Sequence, residues 1–104
     1  MQIQVNHDNH VRLGEEVSAR WAAIIEGALT QFADRITRVE MHLGDVNGGK
    51  HGNADKRCML EARIAGLAPV AVTHQAASLQ LAFDGALEKL SHALSHTFGK
   101  QQTH

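Results

Sequence analysis

The side chains best suited to binding chemistry in this sequence are cations concentrated in the middle of the chain. The 104 residues carry 10 Lys and Arg against 11 Asp and Glu, a net charge of −1 with neutral histidines. Segment 35–66 holds six cations and four acids, whereas segment 1–34 holds two cations and five acids. Such groups neutralise phosphates, and binding of this kind weakens as salt rises. The six cations are Arg35, Arg38, Lys50, Lys56, Arg57 and Arg63.

Strand periodicity predicts that three of these arginines share one face of a sheet. Arg38 alternates with apolar residues in one predicted strand, as Arg57 and Arg63 do in the next. Lys50 and Lys56 are placed on the loop that joins the two strands. The alternative is a solvated face on which glutamates of the same strands pair with the arginines. No aromatic residue is interleaved with these charges, so stacking of single-stranded bases is not expected there.

Two histidines at helical spacing invite a metal interpretation. His92 and His96 stand four residues apart in the last predicted helix, a spacing that can place two imidazoles on one ion. No cysteine lies nearby, and the His-Glu-x-x-His motif is absent. With Lys89 and Lys100, the two histidines are better interpreted as a polar, weakly cationic stripe. We therefore expect no metal and no other cofactor.

The remaining reactive groups do not combine into a predicted active site. Cys58 alternates with apolar residues on the buried side of a strand, where a thiol behaves as a small apolar group. The glycine-rich segment 48–52 lacks the spacing of a phosphate-binding loop and joins two strands. Glu15 and Glu16 lie in the first turn of a predicted helix, where negative charge is favourable. We therefore expect neither an enzyme nor a small-molecule substrate.

A change of period along the chain defines the elements that position these residues. Apolar residues alternate in four segments and recur at three- and four-residue spacing in two others. The predicted elements are strand 2–6, helix 15–33, strand 38–43, strand 57–64, a short strand at 70–72 and a helix from 77 or 78 to Gly99. The first helix counts Ile24 among its apolar positions, and Ser78 is the predicted N-cap of the last. A flexible loop is predicted at 47–54 and a turn at Gly66.

The order strand, helix, strand, strand, strand, helix predicts an α+β fold of βαβββα topology. The first strand–helix–strand unit should be a right-handed parallel crossover, and hairpin-sized connections make the remaining strands antiparallel. Each helix has one apolar face, so both should cover the same face of a four-stranded sheet. Residues 1–104 have the length of a single domain. No membrane span or signal peptide is visible and there is one cysteine, so a cytoplasmic protein is expected.

Two segments carry a resemblance to a known family. One is 32–36, Phe-Ala-Asp-Arg-Ile, which runs into 39–43, Val-Glu-Met-His-Leu. The other is 82–90, Ala-Phe-Asp-Gly-Ala-Leu-Glu-Lys-Leu, in the last predicted helix. With the order of elements, they resemble the ribosome hibernation-promoting factor family, also called protein Y or ribosome-associated inhibitor. The resemblance covers most of the chain and implies a short form, without the C-terminal extension that pairs ribosomes.

The resemblance implies a fold, a partner and two contact residues. Members of that family have the βαβββα fold and bind the small ribosomal subunit in the channel for tRNA and mRNA, which silences idle ribosomes. The implied partner is 16S rRNA, and Arg35 and Lys89 are the positions carried over from the family. Charge and strand face add the other cations and the two helix histidines. The predicted rRNA-binding set is Arg35, Arg38, Lys50, Lys56, Arg57, Arg63, Lys89, His92, His96 and Lys100.

The main alternative is a protein–protein or homodimerisation module that uses the same scaffold without binding ribosomes. An uncovered sheet face with Met59 on its polar side would permit such contacts. A large dimer interface over the charged face would favour this alternative, whereas merging of the basic residues into one patch would favour rRNA binding.

Overall fold

The alternating and helical segments form the kinds of element that their periods predict. The computed structural model describes residues 1–7, 11, 13–46 and 55–102, with side chains up to residue 99. In chain order the elements are β1 (Gln2–His7), α1 (Glu15–Ala28), a 3₁₀ turn (Thr30–Phe32), β2 (Ile36–Asp45), β3 (Lys56–Ile64), β4 (Val70–Ala76) and α2 (Leu79–Gln102). This order confirms the predicted α+β fold with βαβββα topology. The loop predicted at 47–54 lies outside the described residues.

The four strands form one mixed sheet in the order β1-β2-β3-β4. β1 runs parallel to β2, with Gln2 opposite Arg38. β3 is antiparallel to both of its neighbours, as predicted from the short connections. Gly66 makes the turn after β3 with a φ of +79°, a conformation that glycine adopts without strain. β4 is longer than predicted, because every position from Val70 to Ala76 pairs with β3.

Both helices cover the same face of this sheet, as predicted, and enclose an apolar core. The indole of Trp21 on α1 stacks on the ring of Phe83 on α2, with centroids 4.4 Å apart and planes 10° from parallel. No buried residue in the described part of the chain is polar or charged. Ile24 is 42% exposed, contrary to prediction, because Trp21 and Ile25 set the buried stripe of α1. The buried residues of β2 and β3 include Val39, Met41, Leu43, Cys58, Leu60, Ala62 and Ile64.

α1 ends at Ala28, before the predicted end at 33. The hydroxyl of Thr30 lies 3.0 Å from the main-chain oxygens of both Glu26 and Gly27. This side chain therefore competes for the carbonyl groups of the last helical turn. The chain tightens into the 3₁₀ turn at this point, which is a common way for a helix to end.

α2 begins where predicted and ends later than predicted. Ser78 accepts a hydrogen bond of 3.1 Å from the main-chain N–H of Leu81, which confirms it as the N-cap. Gly99 does not stop the helix, which continues beyond it. The preceding residue, Phe98, is buried with its ring 5.1 Å from that of Phe32, so packing holds this turn in place. Neither described helix is long and apolar enough to cross a lipid bilayer.

Candidate nucleic-acid interface

Alternation along β2 and β3 places Arg38, Arg57 and Arg63 on the face of the sheet that the helices leave uncovered. Their neighbours in sequence on the other face include the buried core residues, so the pleat sets the direction of each arginine. Arg38 and Arg63 lie directly opposite each other, whereas Arg57 lies opposite Gly44. This confirms the predicted shared face. We call it the open face, and its side chains on β1 to β3 include Gln4, Asn6, Arg38, Glu40, His42, Arg57, Met59, Glu61 and Arg63.

Glu40 is the centre of an ion-pair network on the open face. Its Oε2 atom lies 3.1 Å from Nε of Arg38 and 3.4 Å from Nη2 of Arg63. Its Oε1 atom lies 3.2 Å from Nε2 of His42, and because a carboxylate only accepts, that ring nitrogen carries the hydrogen. Glu61 adds a second contact to Arg63, 3.3 Å from Nε. Pairing of arginines with glutamates, the alternative interpretation of this face, therefore describes two of its three arginines.

The network orients these two arginines without occupying all of their donors. The side chain of Glu40 is 12% exposed, while those of Arg38 and Arg63 are 37% and 52% exposed. A guanidinium carries five N–H groups, and the ion pairs engage only some of them. Exposed pairs of this kind contribute about 0–1 kcal/mol, so a phosphate held by two parallel hydrogen bonds can compete for the same groups.

Arg57 differs from the other two arginines because it forms no ion pair with any described residue. Its partner across the strands, Gly44, has no side chain, and a hollow of about 290 Å³ opens beside it. The hollow is lined by Asn6, His7, His42, Leu43, Gly44 and Arg57. The sequence predicts Arg57 as a contact but not Asn6 or His42, since the register that joins the three strands is not visible in it. A glycine within a strand pattern is the only signal that could have indicated the hollow.

Lys56 lies on the other face of β3 from Arg57. It is the first residue of β3, so its predicted position on the preceding loop is wrong. Its Nζ atom lies 3.1 Å from Oδ2 of Asp55 and 3.3 Å from Oδ2 of Asp45. These hydrogen bonds, first the one to Asp55, raise the pKa of Lys56 above its usual value. Lys56 is therefore engaged by two carboxylates and lies off the open face.

The two residues implied by the family resemblance also lie off the open face. Arg35 follows the 3₁₀ turn, and its guanidinium carbon is 4.4 Å from the centroid of the Phe98 ring. Lys89 on α2 donates from Nζ to the main-chain oxygen of Thr73, 2.9 Å away. Thr73 belongs to the edge strand β4, so this contact covers a carbonyl group at an exposed edge of the sheet. The predicted cations are thus distributed over several surfaces.

His92 and His96 are exposed on α2, as the predicted polar stripe requires. His92 borders a groove of about 440 Å³ between α2 and β4. No group of three or more metal-ligating side chains occurs in the described part of the chain. Two predicted contacts, Lys50 and the side chain of Lys100, lie outside the described residues and side chains.

Cys58 is buried on the covered face of β3, which confirms its predicted place in the core. Burial raises the pKa of its thiol to about 12. At neutral pH the sulfur is therefore protonated, whereas a nucleophilic or metal-binding cysteine acts as the thiolate. The buried environment of Cys58 therefore favours a role in core packing.

Solved structures of other proteins share the fold of this chain. No protein-family model matches the sequence, and no curated protein matches it. The structure is similar to the Protein Y N-terminal domain of Thermus thermophilus, with a TM-score of 0.72, 16% identity and coverage of 93% of this chain and 99% of that one. It is also similar to a ribosomal subunit interface protein from Coxiella burnetii, with a TM-score of 0.70, 15% identity and coverage of 95% and 99%. These similarities confirm the fold that the sequence resemblance implies.

Proposed function

We propose that this protein is a ribosome-associated factor that binds the small ribosomal subunit through 16S rRNA and blocks the channel for tRNA and mRNA. The observation that carries the proposal is the likeness of fold to a ribosomal subunit interface protein, which extends over 95% of this chain. The resemblance of segments 32–43 and 82–90 to the hibernation-promoting factor family points to the same function. The protein would act as a single-domain, cytoplasmic, non-enzymatic factor.

The open face is the surface that we assign to the rRNA. Arg38 and Arg63 are partners across neighbouring strands, so one surface presents both guanidinium groups. The exposed side of α1 is acidic by contrast, with Glu15 and Glu16 in its first turn. A polyanion is attracted to the first surface and repelled by the second. All aromatic side chains are buried in the core, so the binding would rest on phosphate contacts and shape without base stacking.

Co-sedimentation of the purified protein with small ribosomal subunits across a salt series tests this proposal. Binding should be tightest at low salt, and the logarithm of the affinity should fall linearly with that of the salt concentration. Replacing Arg38 and Arg63 with Ala should weaken binding and reduce the salt slope by about one unit per lost phosphate contact. Arg20→Ala, which removes an exposed cation from α1, is the matched control and should bind normally. Absence of binding at low salt would refute the proposal.

The exposed histidines of α2 provide a second and separable test. Replacing His92 and His96 with Gln removes two predicted rRNA contacts that lie off the open face. Weaker binding by this variant would extend the binding surface from the open face to α2, and unchanged binding would confine it to the open face.

A homodimer that covers the open face is the competing function, and Met59 is the observation in its favour. This apolar side chain is half-buried among the charges of the open face. Two copies of the face would, however, bring like charges together, since each presents three arginines and two glutamates. Light scattering should therefore give a monomer. A stable dimer that Met59→Glu dissociates would favour the competing function.

A further inference from the structure

The hollow beside Arg57 is built by the register of three strands. Asn6 lies opposite His42 across β1 and β2, and Gly44 lies opposite Arg57 across β2 and β3. Polar side chains therefore stand on either side of a position where the side chain is missing. We call this site the Arg57 hollow and define it by these four residues.

Two polar side chains of the Arg57 hollow are held in place by their neighbours. Gln4 donates from Nε2 to Oδ1 of Asn6 at 3.2 Å, so the Asn6 oxygen is engaged and its NH₂ group remains available as a donor. Gln4 itself accepts a hydrogen bond from Arg38, which fixes its amide in this orientation. Glu40 holds the ring of His42 through Nε2 at 3.2 Å. The Asn6 amide is thus oriented as a donor before any ligand arrives.

The described acids on the strands that form the Arg57 hollow contact other cations. Glu40 is shared between two arginines and a histidine. Asp45 and Asp55 contact Lys56 on the covered face of β3. Arg57 has no such partner in the described part of the chain, and its side chain is exposed. An anion in the hollow would therefore meet a guanidinium that pairs with no described acid.

We infer that the Arg57 hollow binds a single phosphate group, with the Arg57 guanidinium as a bidentate partner and the Asn6 amide as a second donor. The planar fork of arginine matches two oxygens of a phosphate. The hollow, with a volume of about 290 Å³, has room for a phosphate group. The source of the phosphate, an RNA phosphodiester, rests on the proposed function, whereas phosphate binding itself does not.

Inorganic phosphate is the probe, titrated at constant ionic strength and followed by amide NMR. Saturable shifts should appear at Gly44, Arg57 and the side-chain amide of Asn6. Arg57→Ala should weaken binding by at least about tenfold, since a charge-assisted contact is lost. Gly44→Thr fills the hollow but keeps every polar side chain, and should weaken binding similarly. The φ of Gly44 is not positive, so a β-branched residue suits this strand position.

The matched control is Arg20→Ala, which removes one exposed cation from α1 and should bind phosphate as the unaltered protein does. Shifts that never saturate, or unchanged binding by Gly44→Thr, would overturn the assignment. A short RNA should displace the inorganic phosphate; phosphate binding without competition by RNA would overturn the phosphodiester source. Phosphate binding without co-sedimentation with small subunits would remove the ribosome proposal and keep the hollow. Co-sedimentation with small subunits without phosphate binding would keep the ribosome proposal and remove the assignment of a phosphate site to the hollow.

Discussion

The two faces of the sheet are formed by the same strands but hold their side chains in different ways. On the covered face, the core is apolar and the rings of Trp21 and Phe83 stack. On the open face, ion pairs centred on Glu40 join side chains that remain partly exposed. Burial of apolar surface dominates stability, while exposed ion pairs contribute little. The covered face should therefore carry most of the free energy of unfolding, and the open face should carry binding.

The largest loss of stability is expected when the stack of Trp21 on Phe83, on the covered face, is disrupted. Phe83 is 1% exposed, and Phe83→Ala should lower the free energy of unfolding by about 3–5 kcal/mol through lost burial, a cavity and the lost ring contact. Denaturant unfolding measures this loss. Leu81→Ala, at a position of the same helix that is 56% exposed, is the control and should change the free energy by less than about 0.5 kcal/mol. Similar losses of unfolding free energy in both variants would contradict the claim that the buried core carries most of the stability.

The next effect is expected where α2 rests on β4. A Cβ atom added at Gly85 would overlap the imidazole of His74, so Gly85→Ala should destabilise the protein by about 1–3 kcal/mol. The double variant that combines Gly85→Ala with His74→Ala should recover most of this loss, because the imidazole that the added Cβ overlaps is then removed. At Gly27, an added Cβ meets nothing within 4 Å, so Gly27→Ala should stabilise the protein by up to about 1 kcal/mol. Equal effects at the two glycines in thermal unfolding would argue against the close packing.

The buried thiol gives the covered face a dependence on alkaline pH. Burial raises the pKa of Cys58 to about 12, whereas a free cysteine titrates near about 8.5. Between about pH 9 and 12 the unfolded chain loses this proton and the folded chain keeps it, so stability should fall as pH rises. The slope for one proton is at most about 1.4 kcal/mol per pH unit.

Urea unfolding between pH 8 and 11 measures this slope. Cys58→Ala should reduce it, and a thiol reagent at pH 8 should label the native protein slowly and the unfolded protein quickly. Lys56 acts in the same direction, since the pKa of its ammonium is also raised in the folded state. An unchanged slope in Cys58→Ala would therefore assign the alkaline loss to other groups.

The covered face was the more predictable of the two, because its pattern is local. Alternation at 39–43 and 58–64 predicts both the buried residues and the three arginines on the opposite face, since the pleat of a strand is a property of its own sequence. The order of elements and the short connections likewise predict the sheet. The early end of α1 was missed because the hydroxyl of Thr30 competes for main-chain carbonyls, which periodicity does not register.

The site depends instead on which residues of different strands lie side by side. Arg57 faces a glycine, and Asn6 is beside His42, only because of the register of three strands. Lys56 meets Asp45 across β2 and β3 for the same reason, which removes it from the predicted basic cluster. A list of cations in the sequence contains no information on these neighbours. The sequence therefore predicts three arginines on the open face, but not which residues lie beside them.

The smallest change in stability, with a gain in binding, is expected at Glu40. Glu40→Gln keeps the shape of the side chain but removes its charge, so Arg38 and Arg63 are left less compensated. Because these pairs are exposed on the arginine side, the free energy of unfolding should change by no more than about 1 kcal/mol. Binding to small subunits should tighten at low salt, and its salt slope should steepen by about one unit.

The matched control for this variant is Glu26→Gln, which makes the same change in net charge on the exposed side of α1. If the open face binds the phosphates, the gain measured at 0.1 M salt should be confined to Glu40→Gln, because the field of a surface charge is screened within about 10 Å at that concentration. Equal gains in both variants would mean that total charge drives the association. The two faces would then differ in stability alone, and the assignment of binding to the open face would be wrong.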